Sequence, residues 1–175
     1  NTTATQISFT YNQMGSRMYG IFGKFDATLD FDTANLANAH TTLHIDLTSI
    51  DAGSEDANTE LVKPAWFDTA KFPVAVFESS HFTQVSENHY LITGRLTLKG
   101  ISREIAAPVE LKAGNAIGIF DGELVLKRDD FGLGAGDFLA RGAPRLDPVQ
   151  RIRQNFRGGI AVMWPQNRRS RLHMG

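Results

Sequence analysis

Residues 65–79 read Ala-Trp-Phe-Asp-Thr-Ala-Lys-Phe-Pro-Val-Ala-Val-Phe-Glu-Ser, and two kinds of local structure meet in them. Trp66 and Phe67 place two bulky aromatic side chains at the end of a short helical pattern. Pro73 ends that pattern, because proline lacks a backbone donor and clashes with the preceding turn. A strand follows in which alternate residues, Phe77 among them, share one face. Large apolar side chains at such a junction cover either a packed core or the mouth of a cavity.

Apolar and polar residues alternate along most of the chain on both sides of this stretch. The runs centred on Phe9, Leu29, Ile45 and Leu124 are clear examples. Such alternation is typical of strands with one buried face. About eight strands joined by hairpin turns predict an all-β fold, either an antiparallel barrel or a sandwich.

One helix is expected, over residues 54–63. Ser54 can cap its first turn, acidic residues follow within that turn, and Pro64 ends the run. An isolated helix of this length is marginal in water. We therefore expect Leu61, Val62 and Trp66 to hold it against one end of the sheet.

A second stretch, residues 90–100, predicts a strand that runs into a glycine turn. Four further short motifs are considered together with this stretch. They are Gly-Ile-Phe at 20–22, Trp-Phe-Asp at 66–68, Phe-Pro at 72–73 and Phe-Glu-Ser at 77–79. In this order and spacing the chain resembles the YceI-like family over residues 6–137. The resemblance implies a lipocalin-like antiparallel β-barrel of about eight strands, with one or two short helices covering one end. It also implies a bound polyisoprenoid chain.

The composition fits one globular domain. The chain has 175 residues, of which 42% are hydrophobic and 21% are charged. We expect the YceI-like barrel domain to occupy residues 1–165, with its last strand in residues 149–156 or 158–164. Residues 166–175 have no apolar face, and we expect them to form a flexible or non-native tail.

A basic segment lies near the C-terminus. Residues 141–175 contain eight arginines and one acidic residue, Asp147, although the whole chain has a net charge of only −1. This segment is either a patch for anionic lipid or nucleic acid, or a surface segment foreign to the domain. It lacks lysine and interleaved aromatic residues, so no nucleic-acid partner is expected.

The chain has no cysteine, which excludes disulfides and thiolate metal sites. No apolar run approaches the ~18 residues that a membrane span needs. The chain begins at Asn1, without the apolar segment of a signal peptide, and we expect that such a peptide was removed or that the chain was trimmed. Together with the family resemblance, this gives an expected periplasmic or secreted location.

The predicted inner faces of the strands are almost wholly apolar, with glycine at positions 20, 94 and 122. The residues alone favour a solid core, whereas the resemblance favours a tunnel that holds lipid. The side chains expected to bind ligand are Phe9, Phe22, Leu29, Leu43, Ile45, Leu61, Trp66, Phe67, Phe77, Ile92, Gly94, Leu96, Val109, Phe120 and Leu124. If Gly94 faces a tunnel, Gly94→Leu should fold and should block the lipid.

The resemblance implies an isoprenoid ligand, either a ubiquinone such as ubiquinone-8 or a polyprenyl phosphate. The protein would act as a carrier, a store or a sequestering protein and would need no other cofactor. Its head group is expected at a mouth near Trp66, Asn58 or an arginine. A homodimer is left open.

Catalytic patterns are weak. The five histidines are scattered without metal-ligand spacing, so no transition-metal site is expected. Asp129 and Asp130 point to opposite sides if they lie on a strand, and we expect them to flank a turn with Arg128 as a partner. No nucleophile elbow is present, and residues 132–136 predict a flexible bend.

We therefore expect a binding protein rather than an enzyme. The alternative is a carbohydrate-binding or structural β-module of a larger secreted protein. A carbohydrate platform would need two planar aromatic side chains on one outer face. The chain shows no such pair at period-2 spacing outside the inner set.

Overall fold

The computed structural model describes residues 6–13, 16–113, 117–134 and 154–163. The strands in these ranges are β1 (Gln6–Gln13), β2 (Ser16–Phe22), β3 (Phe25–Asp30), β4 (His40–Asp46), β5 (Ile50–Asp51), β6 (Val74–Ser86), β7 (His89–Leu98), β8 (Ile101–Ala113), β9 (Ile117–Leu126) and β10 (Gln154–Met163). The α-helix is α1 (Glu55–Leu61), and short 3-10 helices occupy Leu36–Asn38, Leu47–Ser49 and Arg128–Phe131.

The strands form a single antiparallel sheet that curls into a half-barrel. Its order is β3-β4-β6-β7-β8-β9-β10-β1-β2-β5, so the first strand lies between the last strand and the second. Backbone hydrogen bonds from Gly23 N to Ser49 O (3.1 Å) and from Asp46 N to Lys24 O (3.0 Å) extend the β2–β5 and β3–β4 pairs into the short connection between β2 and β3. The predicted lipocalin-like antiparallel fold is confirmed, with ten strands among the described residues.

β6 is longer than the strand predicted after Pro73 and continues without a break to Ser86. Ala75 and Ser79 are buried on its inner face, and the pairing register with β7 then shifts between Ser79 and His81. A β-bulge of this kind inserts one extra residue and reverses the alternation. As a result Phe82, at an even position, is also buried on the inner face.

The predicted helix is confirmed as α1. The Ser54 hydroxyl accepts a hydrogen bond from Ala57 N at 3.2 Å, and Glu55 and Asp56 lie in the first turn, where they favour the positive end of the helix dipole. Leu61 is buried against the sheet. The helix therefore covers one end of the curled sheet, as expected.

Two hydrophobic clusters fill the two ends of the curled sheet. The helix end includes Phe9, Phe22, Leu47, Leu61, Phe67, Phe131 and Leu133. The aromatic end, where the β6–β7 and β8–β9 hairpins lie, includes Phe82, Tyr90, Ile92, Leu111 and Phe120, with Phe31 and Leu36 packed against them. Phe77 contacts both clusters and thus lies between the two ends.

The two candidate closing strands are one strand. β10 spans part of each predicted run and pairs with β9 from Gln154–Leu126 to Met163–Ile117, and with β1 through Gly158–Ile7. This strand joins the C-terminal part of the sheet to its N-terminal part. Residues 166–175, predicted to be a tail, lie outside the described residues, as does most of the basic segment.

Candidate ligand-binding cavity

An apolar cavity of about 200 Å³ lies between the two clusters. Side chains of β1, β2, β3, β4, β6, β7, β8 and β9 line it, together with Leu47 and Phe67 from the connections. Among the described residues that line it, only Thr41 and Glu123 are polar. Apolar cavities of this kind favour hydrocarbon over water, because a water molecule inside would lack hydrogen-bond partners.

Eleven of the predicted ligand-binding residues line this cavity. They are Phe22, Leu29, Leu43, Ile45, Phe67, Phe77, Ile92, Leu96, Val109, Phe120 and Leu124. They come from seven strands and one connection, and the curl of the sheet brings them around one space. Alternation placed all of them except Phe67 on inner faces of strands, and the structure shows that those faces enclose a cavity.

The structure places the other four predicted residues away from the cavity. Phe9 packs on Phe22, with ring centroids 5.0 Å apart, and is buried in the helix-end cluster. Leu61 is buried in the same cluster beneath α1. The Trp66 ring lies at the surface of that cluster, with the Arg128 guanidinium 5.4 Å from the ring centroid. These three side chains pack in the segments that close the helix end of the sheet.

Gly94 is the fourth, and the expectation that it faces a tunnel is wrong. A Cβ added to Gly94 would lie 2.7 Å from Phe77 Cζ and would also collide with the backbone oxygen of Glu78. The Phe77 ring therefore occupies the space that the glycine leaves open. A side chain at position 94 would enter this contact, so Gly94→Leu should overpack the sheet instead of cleanly blocking a tunnel.

Sequence reasoning missed several lining residues, which are Ile7, Thr41, Leu47, Ala75, Leu98, Ile105, Ala107, Gly122, Glu123 and Leu126. Most of them continue an alternation already used for their neighbours, so the same signal could have found them. Ile105 and Ala107, for example, share the inner face of β8 with Val109. Leu47 likewise continues the alternation of Leu43 and Ile45, although the structure places it in a 3-10 helix.

The polar groups of the lining already have partners. Thr41 Oγ1 donates to Thr28 O at 2.9 Å, and Thr41 N donates to the buried Ser79 hydroxyl at 2.8 Å. Glu123 also has an interaction partner. Within the described residues the lining therefore offers a ligand apolar contact and no unpaired side-chain donor.

The helix end is closed by hydrogen-bonded segments. Gly134 N donates to Ala65 O at 2.6 Å, and Lys99 Nζ donates to Gly132 O at 2.9 Å. Asn58 Oδ1 accepts from Ala52 N at 2.6 Å. The region near Trp66 and Asn58, where we expected a mouth, is thus closed by hydrogen bonds. One of these bonds uses the Asn58 amide oxygen, which is therefore not free for a ligand.

Charged side chains form surface pairs. Lys112 Nζ lies 2.7 Å from Asp121 Oδ2, and this hydrogen bond with its charge raises the pKa of Lys112 above its ordinary value. Lys63 Nζ lies 2.6 Å from Glu60 Oε2 and lowers the pKa of Glu60 by the same means. Both pairs are exposed, so neither makes an acid–base site in a cleft.

The described side chains do not form a metal site. No group of three or more His, Asp and Glu residues there could hold a metal ion. The His44 and Asp26 side chains meet at 3.0 Å across β3 and β4, and both are about half exposed. Asp129 and Asp130 lie in a 3-10 helix, and Arg128 stacks on Trp66 rather than pairing with them as predicted.

No helix in the described part of the chain is both long and apolar enough to cross a membrane.

Comparison with known proteins identifies the family. The family model of the YceI-like domain matches residues 1–150. A UPF0312 protein of Photorhabdus laumondii is 32% identical over 106 residues, which are 60% of this chain and 55% of the relative, so the chain spans about half the length of such relatives.

Solved structures agree in fold. BcnA of Burkholderia cenocepacia is 28% identical and superposes with a TM-score of 0.80, over 91% of this chain and 96% of that one. A polyisoprenoid binding domain from Saccharophagus degradans, implicated in plant cell wall breakdown, is 16% identical. It superposes with a TM-score of 0.64, over 91% of this chain and 94% of that one. The family match over most of the chain and the shared half-barrel show that this chain belongs to the YceI-like domain family.

Proposed function

We propose that this chain binds the hydrocarbon tail of an isoprenoid lipid inside the curled sheet. The main support for this proposal is the apolar cavity, because the few polar groups in its lining already have partners. Such a site can hold a branched hydrocarbon and offers nothing to a sugar or a nucleotide. The fold that the chain shares with the polyisoprenoid binding domain of Saccharophagus degradans supports this choice of ligand.

The size of the cavity sets how much of a chain it holds. A cavity of roughly 150 Å³ with apolar walls binds benzene, a six-carbon ring. The cavity of about 200 Å³ would therefore hold one or two five-carbon isoprene units. Each buried CH₂ contributes about 0.8 kcal/mol, so one unit contributes about 4 kcal/mol before the entropic cost of ordering. A longer tail requires side chains such as Phe77 to move aside.

The ligand would be a ubiquinone-type lipid or a polyprenyl phosphate, and the protein would carry, store or sequester it. We propose a binding role without catalysis, because the described part of the chain shows no metal-ligand cluster. The Ser79 hydroxyl lies 3.3 Å from His40 Nδ1, but it is buried and already accepts a hydrogen bond from Thr41 N. We also propose a periplasmic or secreted location, with no nucleic-acid partner. Fractionation of cells that express the full-length protein would test the location.

A carbohydrate-binding role gains no support from the outer surface. A platform for sugar rings needs at least two neighbouring exposed aromatic side chains. Among the described side chains one large aromatic residue, Tyr19, is exposed, at 66%.

The test is to purify the protein, extract it with organic solvent and analyse the extract by mass spectrometry. The expected result is an isoprenoid lipid in the extract. Ala107→Phe should remove it, because Ala107 lines the cavity. Ala106→Phe is the matched control, because Ala106 lies on the exposed face of the same strand. An extract without isoprenoid, or equal loading of both variants, would contradict the proposal.

A further inference from the structure

The two ends of the curled sheet are held in different ways. At the helix end, cross-connections such as Leu47 N to Pro73 O (2.8 Å) and Gly134 N to Ala65 O (2.6 Å) join the covering segments to the rest of the protein. At the aromatic end, the cover is the connection of residues 31–39 between β3 and β4. Its hydrogen bonds, such as Asn38 N to Asn35 O (3.2 Å), are all internal in the described structure.

In the part of the chain that the structure describes, apolar contacts alone fix residues 31–39 to the sheet. The Phe31 ring lies in an aromatic cluster, with its centroid 4.9 Å from Phe120, 5.2 Å from Tyr90 and 5.8 Å from Phe82. Leu36 also packs on this cluster, while six of the nine residues in the connection are exposed. This cover can therefore lift without breaking a hydrogen bond to the sheet, and local opening is easiest where such bonds are few.

Tyr90 is a polar residue beneath this cover. Its side chain is only 3% exposed, and its ring centroid lies 6.5 Å from that of Phe120, which lines the cavity. The Tyr90 hydroxyl makes no hydrogen bond to the described residues. No fully buried side-chain oxygen among them lacks a partner, so this hydroxyl must keep some accessible surface. A hydroxyl so placed has a donor to offer a ligand.

The charges at the aromatic end disfavour an anionic head group. The described carboxylates near the hairpins of this end are Asp30, Asp32, Glu87, Glu110 and Asp121. The one described lysine or arginine near these hairpins is Lys112, which already lies 2.7 Å from Asp121 and 3.7 Å from Glu110. Phosphate recognition usually relies on arginine or lysine. A phosphate at this end would instead meet an excess of negative charge.

We propose that the aromatic end is the mouth of the cavity and that the Tyr90 hydroxyl donates a hydrogen bond to a neutral oxygen on the ligand. The ligand passes beneath residues 31–39 when Phe31 swings out. Its polar end carries an alcohol, ketone or ether oxygen and stays beside Tyr90, while its hydrocarbon tail enters the cavity. This inference rests on the proposed isoprenoid binding.

Exchange kinetics test the position of the mouth. Phe31→Ala removes the ring that fixes the cover, and we expect it to speed both binding and release of geranylgeraniol at least threefold. Phe72→Ala is the matched control at the helix end, where Phe72 packs against the β7–β8 turn near Gly100. It should leave both rates unchanged. Faster exchange in Phe72→Ala and unchanged exchange in Phe31→Ala would place the mouth at the helix end.

Equilibrium binding tests the role of Tyr90, with geranylgeraniol, geranylgeranyl diphosphate and squalene as probes. The wild-type protein should prefer the alcohol to the diphosphate. Tyr90→Phe should weaken alcohol binding roughly three- to tenfold, the range for one neutral hydrogen bond, and should leave squalene binding unchanged. Tyr19→Phe, the same change on the exposed surface, should alter neither affinity. Thermal melting checks the fold, and Tyr90→Phe should melt no lower than the wild type.

The outcomes separate the two proposals. If the wild type binds none of the three probes, the proposed function fails and this inference falls with it. If the probes bind but Tyr90→Phe leaves alcohol affinity unchanged, or weakens alcohol and squalene equally, the function stands and the role of Tyr90 is refuted. Tighter binding of the diphosphate would refute the neutral head group in the same way.

Discussion

Phe77 shows how one side chain can belong to both a core and a binding site. Its ring lies against Gly94 and contacts both hydrophobic clusters, yet it is only partly buried and lines the cavity. Truncation of a fully enclosed Phe costs about 3–5 kcal/mol, because contacts are lost on all sides. One side of Phe77 already borders empty space, so less contact can be lost there.

We predict that Phe77→Ala lowers the free energy of unfolding by less than this range, by about 1–2 kcal/mol. It should also enlarge the cavity, so that the extracted lipids shift toward longer chains. Denaturant unfolding of the delipidated protein measures the first effect, and mass spectrometry measures the second. Phe131→Ala is the control, because Phe131 is 1% exposed and enclosed in the helix-end cluster. An equal loss in both variants would mean that Phe77 is ordinary core.

Gly94 gives the opposite expectation. We predict that Gly94→Leu destabilises the fold by more than the ~1–3 kcal/mol usual for overpacking, because the new side chain meets the backbone of β6 as well as the Phe77 ring. Backbone of a paired strand cannot swing away as a side chain can. A melting temperature close to that of the wild type would show that the strands separate to admit the side chain.

At the scale of elements, α1 is a short helix whose stability depends on its cap and on packing. The Ser54 hydroxyl accepts from Ala57 N, which satisfies one of the otherwise unpaired donors of the first turn. We predict that Ser54→Ala lowers the free energy of unfolding by about 1 kcal/mol and that Ser54→Asp restores most of it. Thermal melts of the three proteins measure this, and a neutral Ser54→Ala would show that Leu61 packing alone holds the helix.

Sequence patterns predicted the elements better than the contacts between them. Strand positions and α1 follow from local alternation and capping, so both were found. The bulge after Ser79 was not, because its cause is the pairing of β6 with β7, and pairing is not local information. The same limit explains Gly94 and Trp66. Their neighbours, Phe77 and Arg128, come from other elements, and alternation reports only which face a residue occupies.

At the scale of the whole molecule, the C-terminal residues 166–175 are predicted to be dispensable. They follow β10 and offer no apolar face in the sequence, so their removal should take no burial from the domain. A chain ending at Pro165 should melt within a few degrees of the full chain and should retain its lipid. Failure of the shortened chain to fold would show that this basic segment packs against the domain.

A bound lipid should stabilise the folded protein. A ligand that binds only the folded state stabilises it by RT ln(1 + [L]/Kd), which is about 2.7 kcal/mol at a ligand concentration of 100 Kd. We therefore expect the wild-type protein to melt several degrees lower after delipidation and to recover when geranylgeraniol is added. In Ala107→Phe the new ring occupies part of the cavity. Its melting temperature should be the same with and without lipid.

Ala106→Phe, on the outer face of the same strand, should respond to lipid like the wild type. Comparing the two variants distinguishes a ligand-binding cavity from a solid core. In a solid core, Ala107→Phe would be unstable and the melting temperature of every variant would be insensitive to lipid. A cavity that works as a binding site instead lets the added ring take over the stabilising contacts of the ligand. A delipidated wild type that melts at the temperature of the loaded protein would contradict this coupling.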